Sequence, residues 1–216
     1  LKIGDNGMVT IQSPNPEIGQ NVKTSMPMIV ADELDTDWSH VIVEQAPLNV
    51  SSYKWQVAGG SRSISSGWEP LRMAGATARK MLITAAATQW NVAPDEITTN
   101  AGIISHKESG NSAHYGEMAS VAAKLDVPKE VELKDPADYT IIGQSKKNVD
   151  AEHIIKGKPL YVIDTFKEGM LTAMMVHPPA FGKQIKSFNP DSVKNMPGIK
   201  DVFKISVYSE EKQQSA

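Results

Sequence analysis

The long run from Trp68 to Trp90 constrains the fold more than any other part of the chain, because its apolar residues recur at a spacing of three or four. That period predicts one long helix with a single buried face. The capping-box pattern Ser66-Gly67-Trp68-Glu69 indicates where the helix begins. Its small residues, with Gly75, predict that a neighbouring backbone packs close against it. The buried positions are predicted to be Leu71, Ala74, Ala78, Leu82 and Ala85.

Short strand patterns alternate with helix patterns along the first part of the chain, and this mixture predicts an α+β fold. Turn residues between short apolar runs indicate two hairpins. The predicted strands are Lys2–Ile3, Met8–Ser13, Val41–Val43, Ile97–Thr99 and Ile103–His106, and the predicted helices are Met26–Leu34, with Ser25 as its N-cap, and Tyr115–Leu125.

A charged stretch with two prolines, Asp126–Asp138, predicts a linker between two domains. We therefore expect one α+β unit in residues 1–135 and a second, mainly β unit in residues 136–216. The Glu, Lys, Gln and Ser content of residues 209–216 predicts a frayed end near a truncation point. The second unit is predicted to contain strands at Leu160–Asp164, Leu171–His177, Gln184–Phe188 and Val202–Val207, and a short helix that starts at Asn189-Pro190-Asp191.

Two turns, Glu17–Thr24 and Gly59–Ser63, each lead from an extended segment into a helix. Backbone N–H groups at such a turn favour an anionic ligand. Gly19 and Asn21 suit the turn because both residue types tolerate left-handed backbone. The pair predicts a site for one large ligand that carries phosphate or amide groups. The alternative is that both are ordinary surface turns.

The composition excludes several kinds of site. The chain has no cysteine, so it contains no disulfide, no cysteine-ligated zinc and no iron–sulfur cluster. A formal net charge of −3 gives no basic surface for nucleic acid. No apolar run approaches the roughly 20 residues of a membrane-spanning helix.

The remaining polar residues are interpreted as structural. The five histidines show neither the spacing of metal ligands nor a paired carboxylate motif. Asp32, Glu33, Asp35 and Asp37 lie around a predicted helix end and are interpreted as a solvated face. Nucleotide binding through Gly59–Arg62 is disfavoured, because neither a P-loop lysine pattern nor a G-x-G-x-x-G sequence is present.

Several short motifs follow one another in order along nearly the whole chain. They are Glu17–Thr24, His40–Pro47, Gly59-Gly60-Ser61, Trp68-Glu69-Pro70-Leu71-Arg72, Leu133-Lys134-Asp135-Pro136, Ile142-Gly143, Ile163-Asp164 and Pro197-Gly198-Ile199. In this order and spacing the chain resembles the molybdenum-binding subunit of the xanthine oxidase and aldehyde oxidase family, and within it the isoquinoline 1-oxidoreductase beta subunit. The resemblance implies a partial molybdopterin-binding domain of mixed strands and helices in residues 1–135. It implies part of an α/β hammerhead domain in residues 136–216.

The resemblance also implies cofactor-binding roles for five residues. Gln20 matches a glutamine whose side-chain amide lies beside the pterin. Ile18 and Gly19 line the same pocket through their backbone. Gly60 and Ser61 match a segment whose main chain contacts molybdopterin, which the resemblance implies in its cytosine dinucleotide form. The chain departs from the family pattern at Ile18, where methionine is frequent, and at Asn21, directly after Gln20, where glycine is common.

By the same resemblance, the chain is expected to be a fragment of a molybdenum hydroxylase large subunit. The full-length enzyme would oxidise an aldehyde or an N-heterocycle with water as the oxygen source. Its glutamate base and a second glycine-rich motif are expected in later sequence. The fragment alone is therefore expected to contain no catalytic residue or metal ligand, to bind no cofactor and to be inactive.

The resemblance further implies a small [2Fe-2S] subunit and an electron acceptor such as a cytochrome c as partners, and a periplasmic location. Exposed apolar surface is expected to make the fragment self-associate. The alternative function is a non-catalytic binding or interaction module that retains the fold without the cofactor.

Overall fold

The computed structural model describes residues 1–180 and 183–205. The chain divides into two compact units, Leu1–Thr165 and Phe166–Ala216. All the strands of the described residues lie in the first unit. The predicted domains, residues 1–135 and 136–216, stay a prediction, because compactness alone does not assign residues 136–165 to a family domain.

The first sheet contains β1 (Lys2–Ile3), β2 (Val9–Ser13) and β3 (Val41–Gln45). β1 and β2 form the predicted antiparallel hairpin, and β2 pairs with β3 in parallel. Helix α1 (Val22–Leu34) connects the two parallel strands. This β–α–β connection is the element that positions the predicted Glu17–Thr24 turn.

Helix α1 begins at Val22, four residues before the predicted start. Asn21, rather than Ser25, is its N-cap, and Pro27 lies inside the helix. The amide of Lys23 donates to the Glu17 carboxylate, so the helix starts where a side chain from the preceding loop satisfies its free N–H groups.

The second sheet is fully antiparallel and contains β4 (Ile97–Asn100), β5 (Ile103–His106) and β6 (Asn111–His114). The predicted hairpin is confirmed. The sequence prediction missed β6, because its residues are mostly polar and small and do not alternate. Helix α4 (Tyr115–Ala122) follows β6 directly, three residues shorter than predicted.

The long helix α3 (Ser63–Trp90) begins before the predicted capping box, so the prediction of its start was wrong. Ala74 is exposed, contrary to the prediction, whereas Leu82 and Ala85 are buried as predicted. Gly75 faces α1: a β-carbon at this position would lie 2.8 Å from Glu33 Cβ and even closer to the Val30 carbonyl oxygen. The predicted close approach of a neighbouring backbone is thus confirmed.

The other helices are short. They are α2 (Val50–Tyr53), α5 (Ala151–Ile155), α6 (Asp191–Lys194) and the 3₁₀ helices Trp38–His40, Pro94–Glu96, Pro136–Asp138 and Val162–Asp164. The predicted short helix is present as α6, but it begins at Asp191 with Pro190 as its N-cap. Four strands were predicted after residue 159, and this prediction was wrong. Residues 160–164, 171–177, 184–188 and 202–205 form no strand. A short apolar run becomes a strand only when a partner strand pairs with it. Residues 206 and 207 of the last predicted strand lie outside the described part.

One hydrophobic core joins both sheets with α1, α3 and α4. Tyr115 is almost fully buried, and its hydroxyl donates to the Leu34 carbonyl over 2.7 Å. Burial, together with the nearby Asp35 carboxylate, raises the pKa of Tyr115 well above its usual value. The buried members of this core are Val9, Ile11, Val30, Ala31, Leu34, Leu82, Ala85, Ala86, Ala87, Ile97, Ile104, Ala113, Tyr115, Met118, Ala122 and Ile141.

Two of the four acidic residues at the end of α1, Asp32 and Glu33, are fully buried, so their interpretation as part of a solvated face was wrong. Asp32 is fully buried, and its carboxylate accepts hydrogen bonds from the amides of Thr140, Ile141 and Ile142 over 3.3, 3.0 and 2.7 Å. Such bonds replace the water that an ionised carboxylate loses on burial. Asp37 alone of the four acidic residues is exposed.

Glu33 is also fully buried and lies between α3 and the segment predicted as a linker. It pairs with Arg72 Nε over 2.6 Å, and Arg79 lies 3.8 Å away. Its second carboxylate oxygen accepts the Lys134 amide, and Arg72 donates to the Lys134 carbonyl over 2.6 Å. One carboxylate and one guanidinium thus attach the Lys134 backbone to both helices.

The Lys134 side chain completes this network. Its ammonium group lies 2.8 Å from Asp35 and 3.4 Å from Asp32. Asp35 also accepts the Thr99 hydroxyl over 2.7 Å, which connects the network to β4. We call Asp32, Glu33 and Asp35 the α1 acidic cluster. The sequence did not reveal its burial, because every partner comes from a distant part of the chain.

We predict that Gly75→Ala lowers the free energy of unfolding by about 1–3 kcal/mol, because the new methyl group would overlap the α1 backbone. Gly67→Ala is the matched control in the same helix, since its methyl group would meet only the movable ends of Met26 and Leu71. Urea denaturation of both variants measures the effect. Equal stability of the two variants would contradict close packing of α3 on α1.

We predict that Glu33→Gln lowers the free energy of unfolding by about 3 kcal/mol or more, because it leaves the Arg72 guanidinium without its buried counter-ion. Glu44→Gln, an identical change at an exposed position of β3, should stay within about 0.5 kcal/mol of the parent chain. Thermal and urea unfolding distinguish the two. A Glu33→Gln chain as stable as the Glu44→Gln chain would show that the pair contributes nothing.

Candidate cofactor-binding site

A pocket of about 300 Å³ lies at the carboxyl ends of β2 and β3. Parallel strands of α/β units bind ligands at this edge, because the loops that leave it diverge and the next helix presents its N-terminus there. Most of the lining comes from residues 14–23, which run from the loop after β2 into α1, and from residues 45–56, which begin at the end of β3. The lining residues are Pro14, Pro16, Glu17, Lys23, Gln45, Ala46, Leu48, Gln56, Asp150, Leu160, Tyr161 and Val162.

The Glu17 carboxylate organises the loop between β2 and α1. One oxygen accepts the amides of Gly19 and Asn21 over 2.7 and 2.9 Å, and the other accepts the amide of Lys23 over 2.9 Å. The negative side chain therefore lies at the positive end of α1, where such charges are favourable. The N–H groups that the sequence suggested for an external anion are already satisfied by Glu17, which fixes the loop shape before any ligand binds.

Gln20 lies at the exposed tip of this loop, with its amide held in a defined orientation. Its Oε1 accepts the Ile18 amide over 2.7 Å, and its Nε2 donates to the Pro16 carbonyl over 3.0 Å. A primary amide carries two N–H groups and two acceptor lone pairs. One N–H and one lone pair of Gln20 therefore remain available to a ligand.

The backbone around Gln20 adopts the left-handed conformation that the sequence predicted. Gly19 has a φ of 103° and Asn21 a φ of 65°. A β-carbon on Gly19 would meet no atom within 4 Å, so a ligand can approach the main chain on that side. Ile18 is largely exposed. The Asn21 side-chain oxygen is buried and has no hydrogen-bond partner in the described residues.

The long connection from β3 to α3 packs against the same loop. The buried Asn15 donates to the Val57 carbonyl and to the Ser63 hydroxyl, each over 3.0 Å. Gln56 donates to the Pro14 carbonyl over 2.9 Å. The two turns singled out in the sequence are thereby tied to one another through Asn15. Sequence reasoning missed this residue, because its only local signal is its place two positions before Glu17.

Gly60 and Ser61 form a tight turn immediately before α3. Both are left-handed, with φ values of 62° and 53°, and both are exposed. A β-carbon on Gly59 would meet no atom within 4 Å, so the main chain of this turn is also accessible. Arg62 lies over the Trp55 ring, 5.0 Å from its centre, which places a cation beside the turn.

The pocket and the five predicted cofactor residues are neighbours along the chain but are not the same residues. Glu17 lines the pocket, whereas the exposed turns carry Ile18, Gly19, Gln20, Gly60 and Ser61. Lys23 and Asp150 form an ion pair of 2.8 Å in the pocket wall. The sequence analysis missed this pair, because the two residues are distant in sequence and neither lies in a recognisable motif.

The chain matches one protein family over most of its length. Residues 1–161 match the molybdopterin cofactor-binding domain family. Because this match covers most of the 216 residues, the chain belongs to that family. The membership that the sequence motifs predicted is confirmed, and the observed mixture of helices with two small sheets agrees with the predicted α+β class.

Curated relatives match nearly the whole chain at moderate identity. The beta subunit of isoquinoline 1-oxidoreductase from Brevundimonas diminuta is 29% identical over 95% of this chain and 31% of its own length. A membrane-bound aldehyde dehydrogenase (pyrroloquinoline-quinone) of Gluconacetobacter polyoxogenes is 28% identical over 91% of this chain and 26% of its own length. A nicotinate dehydrogenase subunit of Pseudomonas putida is 27% identical over 92% of this chain and 17% of its own length. The chain thus spans less than a third of the length of these relatives.

Among solved structures, quinoline 2-oxidoreductase of Pseudomonas putida 86 resembles part of the chain. The TM-score is 0.45 and the identity 23%, over 57% of this chain and 16% of that one. This similarity is too low to transfer site geometry from that enzyme to this chain. Within residues 1–180 and 183–205, no helix combines the length and the apolar character of a membrane span.

We predict that Glu17→Gln loosens the loop, because a neutral amide has one acceptor oxygen where the carboxylate uses two. The loss should be about 1–3 kcal/mol in unfolding free energy, since N–H groups at the start of α1 lose their partner. Hydrogen exchange of the Gly19, Asn21 and Lys23 amides should accelerate more than that of the α3 amides.

Glu69→Gln, at an exposed position of α3, is the control for the loss of one charge. It should leave the exchange of the three loop amides unchanged. If Glu17→Gln also leaves them unchanged, the carboxylate does not hold the loop.

Proposed function

We propose that this chain is the first part of a molybdenum hydroxylase large subunit and contributes one wall of the molybdopterin site. The family match over residues 1–161 carries this proposal. The loop geometry supports it, because Gln20 presents a fixed and exposed amide at the carboxyl edge of a parallel strand pair. A pterin has adjacent hydrogen-bond donors and acceptors, which an amide can pair with at the same time.

We assign the two turns complementary roles. Gln20 would bind the cofactor through its remaining N–H and lone pair, while Gly19 leaves its backbone accessible. Gly60 and Ser61 would contact the cofactor through the main chain, since their turn carries no side chain that blocks access at Gly59. The bonds from Asn15 would hold the two turns at a constant separation.

The proposed reaction is the oxidation of an aldehyde or an N-heterocycle with water as the oxygen source. A bound molybdenum cofactor supplies two-electron oxidation chemistry. The names of the relatives support these substrate classes, because they include an aldehyde dehydrogenase, an isoquinoline oxidoreductase and a nicotinate dehydrogenase. In this proposal the glutamate base belongs to other parts of the enzyme, and this chain binds and orients the cofactor.

The finer features of the enzyme are also proposals. We propose the cytosine dinucleotide form of the cofactor, a small [2Fe-2S] subunit with an acceptor such as a cytochrome c as partners, and a periplasmic location. The isoquinoline and nicotinate relatives are each named as one subunit of an enzyme, which supports assembly with further chains. The hammerhead-type domain in residues 136–216 stays a proposal on the same basis.

A second candidate function is a binding or interaction module that retains the fold without the cofactor. Glu17 favours this candidate, because it already satisfies three N–H groups that could otherwise bind a ligand. Asn21 also favours it, since its side chain occupies a loop position where the family commonly has glycine.

We predict that Gln20→Ala in the full-length protein lowers turnover about a hundredfold, because one preorganised polar contact to the cofactor is lost. The loss of two exposed hydrogen bonds should cost only about 1 kcal/mol of stability. Gln20→Glu should be more harmful still, since it adds a negative charge beside an anionic cofactor and removes the donor. The measurements are molybdenum content, melting temperature and steady-state turnover.

Gln89→Ala, an exposed glutamine at the end of α3, is the matched control and should leave all three quantities unchanged. Unchanged turnover of Gln20→Ala at full molybdenum content would show that Gln20 is only a turn residue. A folded full-length protein that contains no molybdenum would favour the binding module instead. Incorporation of ¹⁸O from labelled water into the product tests the proposed oxygen source.

A further inference from the structure

Three potential metal ligands converge beside the second sheet, away from the two turns. Glu96 ends the 3₁₀ helix before β4, His106 ends β5, and Glu108 follows in the turn to β6. One ligand atom from each residue lies within 4.8 Å of the other two. The pairing of Ile97 with His106 in the β4–β5 ladder places Glu96 next to the histidine.

The imidazole of His106 is buried, and its Nε2 faces the Glu96 carboxylate. The residue is 4% exposed, and its Nε2 is a buried atom without a hydrogen-bond partner in the described residues. Buried polar atoms of this kind are uncommon, and a bound ion is one of their physical explanations. Glu96 and Glu108 are exposed, so the cluster is accessible from solvent.

The distance between His106 and Glu96 suits a shared metal ion better than a direct hydrogen bond. Nε2 lies 3.5 Å from Glu96 Oε2. An N–H···O bond is usually about 2.7–3.2 Å long. Two ligands about 2.0–2.1 Å from a tetrahedral Zn²⁺ are about 3.4 Å apart.

The other side of the imidazole has the partner that a metal-binding histidine requires. His106 Nδ1 lies 2.8 Å from Ser109 Oγ. The Ser109 amide also donates to Nδ1 over 3.3 Å, which favours the proton on Nε2 in the metal-free chain. Binding of a metal ion at Nε2 would move this proton to Nδ1, where the Ser109 hydroxyl can accept it. Ligating histidines usually hold their second N–H in this way, which fixes the tautomer and the ring orientation. Glu96 is also fixed, because its Oε2 accepts the Ala93 amide over 3.1 Å.

We propose that Glu96, His106 and Glu108 bind a divalent transition-metal ion of the Zn²⁺ type. One imidazole nitrogen and two carboxylate oxygens form a ligand set that zinc accepts, and water completes a four-coordinate site. The ion would clamp the start of β4 to the β5–β6 turn. This site is independent of the cofactor-binding proposal, since it uses none of the same residues.

The structure offers an internal comparison at His114. That imidazole also lies 3.5 Å from a carboxylate, that of Glu117, but it is more exposed. In the described residues no third ligand joins this pair, because the one cluster of three is Glu96, His106 and Glu108. Glu117→Gln is therefore the matched control for a histidine–glutamate pair that should not bind metal.

The test is calorimetric titration of the untagged 216-residue chain with Zn²⁺ alone. We expect one saturable site per chain and a melting temperature that rises by about 5 °C at a hundredfold excess of Zn²⁺ over its Kd. Glu108→Gln, which alters an exposed side chain, should weaken binding about tenfold or more, and His106→Gln should abolish it. Glu117→Gln should bind as the parent chain does, and Mg²⁺ should not compete, because magnesium prefers all-oxygen ligands.

A positioning variant separates ligand loss from general damage. Ser109→Ala removes the partner of Nδ1 and should weaken Zn²⁺ binding about tenfold without abolishing it. The ¹⁵N shift of His106 Nε2 should change on Zn²⁺ addition, whereas that of His114 should not. Absence of saturable binding would overturn the proposal. Binding that survives Glu108→Gln unchanged, or that Glu117→Gln weakens equally, would overturn it too.

Discussion

Two carboxylates on the last turn of α1, Asp32 and Glu33, are removed from solvent, and a buried charge is tolerated only when its partners are fixed. Their partners are the guanidinium of Arg72, the ammonium of Lys134 and three successive amides from Thr140 onwards. The helix pair and the irregular segment beside it are therefore interdependent. Loss of one charge would leave the others buried without compensation, which is why α1, α3 and residues 132–142 must assemble together.

The same helix holds this segment at both ends. Lys134 and Ile142 are bound at the carboxyl end of α1, whereas Val149 donates to the Thr24 hydroxyl and Asp150 pairs with Lys23 at the amino end. Residues 134–150 thus run back along α1 towards the start of the helix. The charged, proline-containing segment Asp126–Asp138, predicted as a linker, supplies Lys134 as a polar partner of α1 and α3. Asp150 reaches the wall of the pocket as a result.

Rigidity at the start of α1 has a consequence for the proposed cofactor site. The Glu17 carboxylate satisfies the loop amides from inside, and Gln20 satisfies the loop with only part of its hydrogen-bonding capacity. Binding would therefore use the remaining capacity of an ordered loop and would not have to order it. A preorganised site of this kind loses less conformational entropy on binding. The proposed metal site at His106 follows the same principle, since Ser109 contacts its ring.

The sequence alone determined the local elements whose signals lie within a few residues: the β1–β2 and β4–β5 hairpins, the strand at Val41, most of α3 and the left-handed turn at Asn21. Its motifs also determined the family. Tertiary structure decided what depends on distant partners: the burial of Asp32 and Glu33, the Lys23–Asp150 pair and the approach of two glutamates to His106. It also decided that the apolar runs after residue 159 form no strands in the described residues. Hydrophobic period and turn chemistry are local, whereas charge burial and strand pairing depend on which segments meet in space.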